Sequence, residues 1–268
     1  MIEIVKVSGL ATIQDGGRPG LMHTGVPRSG AMVRELLARA NGAARNAPDE
    51  AAIEAFGAIS LVAHEGALVG LDDAGARRLR PGERLDLPAP SDARVRYVAV
   101  RGGFDVPRVL GARATLIVAG IGGHEGRALR AGDRVPVGTA SAAGPLSLRP
   151  ARTGPIRVVP GPDDDAFEPD ALARLLEEGF TIAAASDRTG TRLDGPTIAA
   201  RPAPSAASGP MVRGAIEITP DGQPIVLGPD HPTTGGYPVI ACVIRADLGR
   251  FMRIPVGGEV RFARAEKR

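Results

Sequence analysis

The sequence predicts a mainly β protein with a few short helices, and three observations carry that prediction. Gly numbers 36 and Pro 24 among 268 residues, while 43% of the chain is hydrophobic. Against average usage of roughly 7% and 5% this punctuation is nearly doubled, more than a helical bundle tolerates. It has no strict period, which excludes collagen, and the apolar share excludes general disorder. Several segments alternate polar and apolar residues with period two, as half-buried strands do. Only two segments carry a helical pattern.

Strand-like runs are Ile2 to Val7, Ala58 to Val62, Ala67 to Leu71, Arg94 to Val100, Thr115 to Val118, Ile156 to Val159, Ala215 to Thr219 and Pro238 to Arg245. The alternation is clearest in Ile2-Glu3-Ile4-Val5-Lys6-Val7 and in Arg94-Val95-Arg96-Tyr97-Val98. The first predicted helix spans Ala31 to Ala40, with Met32, Leu36 and Leu37 on one side and Asn41-Gly42 as its stop. In the second, Pro169 sits near the first turn, Leu172, Leu175 and Leu176 form the apolar face, and Gly179 is placed as a left-handed cap. Asp163, Asp164 and Asp165 precede it and suit its dipole better than paired catalysis, because adjacent loop residues rarely converge.

A weak echo links Leu79-Arg80-Pro81-Gly82-Glu83-Arg84-Leu85, Leu129-Arg130-Ala131-Gly132-Asp133-Arg134-Val135 and Ile254-Pro255-Val256-Gly257-Gly258-Glu259-Val260. Each reads as a tight turn feeding a strand. Two copies fall in the first half and one closes the chain, which suggests two β units. The small, polar stretch within Gly138 to Pro155 places the boundary near residue 148, giving domains 1–148 and 149–268. Ala199 to Pro210, rich in Pro, Ala and Ser, reads as a surface loop of the second unit.

Composition narrows the function. Aromatics are 3% of the chain and Trp is absent, so stacking platforms for single-stranded nucleic acid lack material. The net charge is +3, and with lysine only at Lys6 and Lys267 the positive charge is arginine scattered from end to end. No stripe for a phosphate backbone results, so no nucleic-acid partner is expected. Cys242 is the only cysteine, which excludes internal disulfides and Cys-based zinc sites. The start lacks a leader pattern and no apolar run approaches about 18 residues. A soluble cytoplasmic protein without a membrane partner is expected.

Common catalytic signatures are missing, and His23, His64, His124 and His231 are isolated, so no metal site is expected. Gly120-Ile121-Gly122-Gly123-His124-Glu125-Gly126 has the wrong spacing for a dinucleotide loop and reads as a tight β connection. Three segments carry chemistry. Gln14 to Gly30 places Asp15, Arg18, His23, Thr24, Arg28 and Ser29 on a glycine-rich loop able to bring N–H groups and a cation to an anion, with His23 suited to proton transfer. An ordinary turn with an Arg–Asp pair fits it equally well. Ser186 to Gly195 alternates acids and bases, so Arg188 could hold a carboxylate with Asp187 orienting it, although an intraloop salt bridge has the same pattern. Gly228 to Pro238 gathers Thr233, Thr234, Gly235, Gly236 and Tyr237 before an apolar strand, either as a nest for an oxyanion or as a plain lead-in to that strand.

The blocks GLATIQDGGRPGLMHTGVPRSGAM, YVAVRGGFDVPRVLGARATLIVAGIGGHEGRALRAGD, SDRTGTRLDGP and DGQPIVLGPDHPTTGGYPVIACVIRADLGR resemble the carboxyltransferase-domain family over almost the whole chain. That family includes the C subunit of 5-oxoprolinase and parts of urea carboxylase and allophanate-hydrolase-related proteins. The resemblance implies two cyclophilin-like β-barrel domains. It also implies a component of an ATP-dependent enzyme that opens 5-oxo-L-proline to L-glutamate with 5-oxoprolinase subunits A and B, ATP being handled with those partners. In that picture Arg18 or Arg188 holds the substrate carboxylate, Thr234, Gly235, Gly236 and Tyr237 line the pocket, and His23 or Asp187 moves protons. Two alternatives are a carboxyltransferase component of a biotin-dependent system and a regulatory protein that antagonises a kinase inhibitor. The chain has no lysine in an Ala-Met-Lys-Met setting to carry biotin. It departs from the family pattern at Val33 (usually Asp), Glu217 (usually Gln) and Pro232 (usually Gln), which bears on ligand identity.

Overall fold

The computed structural model describes residues 1–73, 75–140, 152–201 and 208–266. Among the described residues strand makes up 35% and helix 13%, in keeping with the mainly β class that the sequence predicts. The chain forms two compact units: Met1–Pro19 with Ser29–Pro150, and Gly20–Arg28 with Ala151–Arg268. The boundary expected near residue 148 and the middle of the 199–210 loop lie outside the described residues.

The first unit holds β1 (Ile2–Val7), β2 (Ala11–Gln14), α1 (Arg34–Ala43), β3 (Ala52–Ala55), β4 (Ile59–Ala63), β5 (Ala67–Leu71), β6 (Gly75–Leu79), β7 (Glu83–Leu87), β8 (Arg96–Val100) and β9 (Arg134–Val135). Its strands form two sheets, ordered β7-β4-β1-β9 and β2-β3-β8-β5-β6. The alternation of β1 turns Ile2 and Ile4 inward, where they meet Leu61, Ile13, Ile53, Val69 and Val98 in a core shared by both sheets. β8 departs from the expected half-buried pattern: every residue is buried, because α1 covers one of its faces. Gly70 on β5 makes room for that helix, since a Cβ there would lie 2.1 Å from the Ala40 carbonyl oxygen.

Helix α1 starts three residues later than expected and runs through Asn41-Gly42. Asn41 does not stop it, because its buried side chain donates to the Glu50 carbonyl at 2.8 Å and accepts from Asn46 at 3.0 Å. Glu54 and Tyr97 fix the start: Met32 N–H donates to Glu54 Oε2 at 2.7 Å, Val33 N–H to Tyr97 Oη at 3.0 Å, and the Tyr97 hydroxyl to Glu54. Thr115 to Val118 is not a strand. Thr115 N–H and Oγ1 both donate to the Ile13 carbonyl at 2.9 Å, after which residues Ile117–Ala119 make a 3-10 turn that leaves Val118 exposed.

The second unit holds β10 (Ile156–Pro160), α2 (Ala171–Glu177), β11 (Gly179–Ile182), β12 (Gly190–Asp194), β13 (Gly209–Pro210), β14 (Ala215–Ile218), β15 (Pro224–Leu227), β16 (Thr234–Gly235), β17 (Val239–Val243), α3 (Leu248–Arg253) and β18 (Glu259–Arg264). Seven strands close a barrel in the order β10-β17-β14-β15-β12-β11-β18, and β13 pairs with β16 apart from it. Parallel pairing of Ile156 to Phe262 closes the ring, and the buried Phe180, Phe251 and Phe262 pack there with centroids 6.2 Å apart. Gly179 is not the left-handed cap of α2; it begins β11 and pairs with Arg261. Asp163 bonds outside its own segment, with Oδ2 accepting Val239 N–H at 2.8 Å.

Helix α3, which no sequence pattern predicts, begins at Asp247. This fully buried carboxylate takes Arg157 Nη2 at 2.8 Å, Arg157 Nε at 2.9 Å and Arg157 N–H at 3.0 Å. Burial pushes its pKa up, but the Arg157 bonds outweigh that and hold it at about 2. The three echoed turns do feed β7, β9 and β18, and each places its glycine at positive φ: Gly82 at 75°, Gly132 at 89° and Gly257 at 76°.

Candidate functional site

The glycine-rich segment 14–30 is tied at its base by Asp15. Its Oδ1 accepts Gly17 N–H at 2.7 Å, its Oδ2 accepts Arg113 N–H at 2.6 Å, and its carbonyl accepts Ala31 N–H at 3.0 Å. Gly30, at φ 83°, closes this crossing, since a Cβ there would lie 2.8 Å from the Gly17 nitrogen. Asp15 therefore bonds to backbone amides and is not a surface partner of arginine. Arg18 belongs to the first unit and is 1% exposed, with Nη2 donating to the Ala114 carbonyl. His23 lies in the segment assigned to the second unit, exposed on the 3-10 turn Met22–Thr24.

In the second unit the two remaining segments come together. Arg188 Nε donates to Asp230 Oδ2 at 2.7 Å and Nη2 to Asp230 Oδ1 at 3.0 Å, a bidentate pair in which Arg188 is 4% and Asp230 9% exposed. The backbones are stitched as well: Asp230 N–H donates to the Arg188 carbonyl at 3.0 Å and Gly228 N–H to the Thr189 carbonyl at 2.8 Å. Gly228 is needed for this approach, because a Cβ there would sit 2.2 Å from the Arg188 carbonyl oxygen. Arg188 is thus paired across 42 residues of sequence, not with Asp187 inside its own loop. Asp187 is exposed and forms its own turn, with Oδ1 accepting the N–H groups of Thr189 at 2.8 Å and Gly190 at 2.9 Å.

The block at 233–238 is a short ribbon. Thr234 and Gly235 pair with Pro210 and Gly209, Met211 N–H donates to the Thr233 carbonyl at 3.0 Å, and Ile218 N–H donates to the Pro238 carbonyl at 3.1 Å. Neither Gly235 nor Gly236 has the positive φ on which an anion nest depends, so of the two readings the plain lead-in to β17 fits. What the ribbon does present is an exposed edge: Thr234 and Gly236 are exposed and Tyr237 is 46% exposed.

Two functional candidates do not stand out in the sequence. His231 is 2% exposed, and its Nδ1 lies 2.7 Å from the Pro232 carbonyl. A carbonyl only accepts, so Nδ1 carries the proton and Nε2 the lone pair. Burial lowers the pKa of this imidazole, with the charge of Arg213 acting in the same direction, so it stays neutral. Glu217 is 6% exposed, and its Oε1 lies 3.0 Å from where a Cβ on Gly235 would be. It borders the apolar cluster of Met211, Ala215, Leu227 and Val239, and burial raises its pKa. A neutral imidazole can take a proton. The signal for His231 was its place between Asp230 and the Thr-Thr-Gly-Gly run; for Glu217 it was the departure from the family residue. Among the described residues no three His, Cys, Asp or Glu side chains are grouped to hold a metal ion, and no helix is long and apolar enough to cross a membrane.

The family model for the carboxyltransferase domain, subdomains A and B, matches residues 24–264. The chain is similar to the C subunit of 5-oxoprolinase from Escherichia coli K12, with 32% identity covering 98% of this chain and 90% of that protein. Its identity to the C subunit of 5-oxoprolinase from Haemophilus influenzae is 34%, with the same coverage of 98% and 90%. The crystal structure of Kluyveromyces lactis urea amidolyase superposes with a TM-score of 0.87 at 25% identity, covering 99% of this chain and 19% of that one. The chain therefore spans about a fifth of the amidolyase. Matched from residue 24 to residue 264, the chain belongs to the carboxyltransferase-domain family.

Proposed function

We propose that this chain is the C subunit of an ATP-dependent 5-oxoprolinase, which with subunits A and B opens 5-oxo-L-proline to L-glutamate. The observation that carries the reading is likeness to the C subunits of two 5-oxoprolinases along 98% of this chain and 90% of theirs. ATP is the co-substrate, handled with the partner subunits. In the reaction water adds to the ring carbonyl, the C–N bond breaks and the leaving nitrogen takes a proton, while ATP is hydrolysed to ADP and phosphate.

Within the second unit, the exposed edge from Thr234 through Gly235 and Gly236 to Tyr237 contacts the substrate. The Arg188–Asp230 pair positions that turn, and Arg188 holds the substrate carboxylate. His231 Nε2 accepts the proton of the attacking water, and Glu217, whose carboxyl burial makes harder to ionise, lies beside Gly235 of that edge. Asp187 serves by shaping the turn that carries Arg188.

The test is reconstitution. Mixed with subunits A and B, the chain should restore ATP-dependent glutamate release from 5-oxo-L-proline, and His231→Ala should lower kcat about 100-fold or more, as loss of a general base does. Absence of ATP-dependent turnover from the complete mixture refutes the reading. The likeness to urea amidolyase favours a second one, biotin-dependent carboxyl transfer. Carboxyl transfer from carboxybiotin to urea, with no glutamate release, would support it.

A further inference from the structure

A cleft of about 370 Å³ opens in the first unit, lined by none of the residues assigned a role above. Val106, Val109, Ile121 and Pro136 give it an apolar wall. Two turns rise from that wall. The first is closed by Val109 and Ala112, which exchange backbone bonds of 2.8 and 3.3 Å, and it carries Leu110 and Gly111 at its tip. The second is closed by the pairing of Leu116 with Ile121 and carries the 3-10 turn Ile117–Ala119. Both tips are apolar and exposed, Leu110 to 53%, Ile117 to 44% and Val118 to 87%.

The turns themselves do not ask for aliphatic side chains. Leu110 and Gly111 hold φ of 52° and 82°, the two left-handed positions of a two-residue hairpin turn, where Asn, Asp or Gly fits best and leucine is disfavoured. Exposed apolar side chains gathered beside an apolar cleft mark a protein contact. The charges on this face divide by position. Arg108 stands at the Leu110 tip, exposed, with Nη1 donating to the Gly111 carbonyl at 3.3 Å, and no acid pairs with it among the described residues. The cleft instead carries two exposed acids. Asp105 engages Arg113 at 3.0 Å through Oδ1 and Glu125 engages Arg127 at 2.7 Å through Oε2, which leaves one carboxylate oxygen of each open to a further cation.

A basic apolar tip and an acidic apolar cleft therefore share one face. The tip grows out of the wall of its own cleft and cannot fold back into it, so the two fit only between molecules. Two copies related by a two-fold axis satisfy both halves at once. We infer that the chain pairs with a second copy of itself through this face, with Leu110 of each copy seated in the cleft of the other and Arg108 set against the acids there. Ile117 and Val118 widen the apolar contact. The inference does not rest on the 5-oxoprolinase reading, which concerns other residues.

The test is analytical ultracentrifugation of the full chain, alone, over a range of concentrations, where a reversible monomer–dimer equilibrium is expected. Leu110→Asn removes the apolar tip while suiting its left-handed backbone, so the variant keeps the fold. It should weaken the dimer about tenfold or more, as loss of one seated leucine does. Arg108→Glu, which brings a third acid to the cleft of the other copy, should weaken it as well. A chain that stays monomeric at every concentration, or a dimer that either substitution leaves unchanged, overturns the inference. So does a monomeric chain that requires Leu110 to bind 5-oxoprolinase subunits A and B, because the face then receives a different protein.

Discussion

Asp72 shows how one buried side chain sets a pH dependence. It is 7% exposed, accepts Tyr97 N–H at 3.2 Å, and burial raises its pKa from 3.8 to about 6. The folded state then holds the proton more tightly than the unfolded chain, so its contribution to stability is complete below about pH 4 and is lost as pH rises through 6. Asp72→Asn, which keeps the acceptor oxygen without the charge, should match the parent at pH 4 and exceed it by about 2 kcal/mol at pH 7 in urea unfolding. Arg188 poses the opposite case. Arg188→Ala strands Asp230 in a nearly closed setting and should cost about 3 kcal/mol, and Asp230→Ala on top should return part of that loss. If the double variant were no more stable than Arg188→Ala alone, the pair would not be the coupled unit described here. The sequence showed Arg188 and Asp230 as members of two candidate blocks, but not that they meet. Charge patterns report local neighbours, and Asp187 was the nearer acid.

At the scale of elements, two glycines separate close approach from backbone strain. Gly70→Ala drives a methyl group into the Ala40 and Ala44 backbone and should cost about 3 kcal/mol, with α1 displaced from β5. Gly132→Ala meets nothing within 4 Å but must hold φ near 89°, and should cost only about 1 kcal/mol. Thermal unfolding of both variants tests this, and equal losses would contradict it. The glycine turns were readable because their chemistry is local: Gly82, Gly132 and Gly257 recur in the same place before β7, β9 and β18. β3 was not readable. Ala52-Ile53-Glu54-Ala55 has no period of two, since all four residues are buried and Glu54 is satisfied by Met32 and Tyr97 from elsewhere in the chain. α3 was missed because six residues are too few to show a helical period, and its start depends on Arg157, 90 residues away. Thr115 to Val118 looked like a strand on β-branched composition alone, but its bonds go to Ile13 and Gln14 and its apolar tip is exposed.

For the whole molecule, the mainly β class followed from Gly and Pro content together with alternation, because both are properties of the entire chain. The closure of the second unit into a seven-stranded barrel depends on the parallel pairing of β10 with β18, between the two ends of that unit, and no local pattern announces it. The candidate site was legible to the same degree. Its segments stood out in the sequence, whereas His231 and Glu217 acquired meaning only from their burial. The proposed role of this chain is to complete a lactam-opening enzyme. The most direct measurement is glutamate formed from 5-oxo-L-proline with ATP and subunits A and B, as this chain is titrated into the mixture. Glutamate should stay at background without the chain and rise in proportion to it until the partners are saturated. Glutamate release at the same rate with and without the chain, or none at any amount of it, would contradict that role.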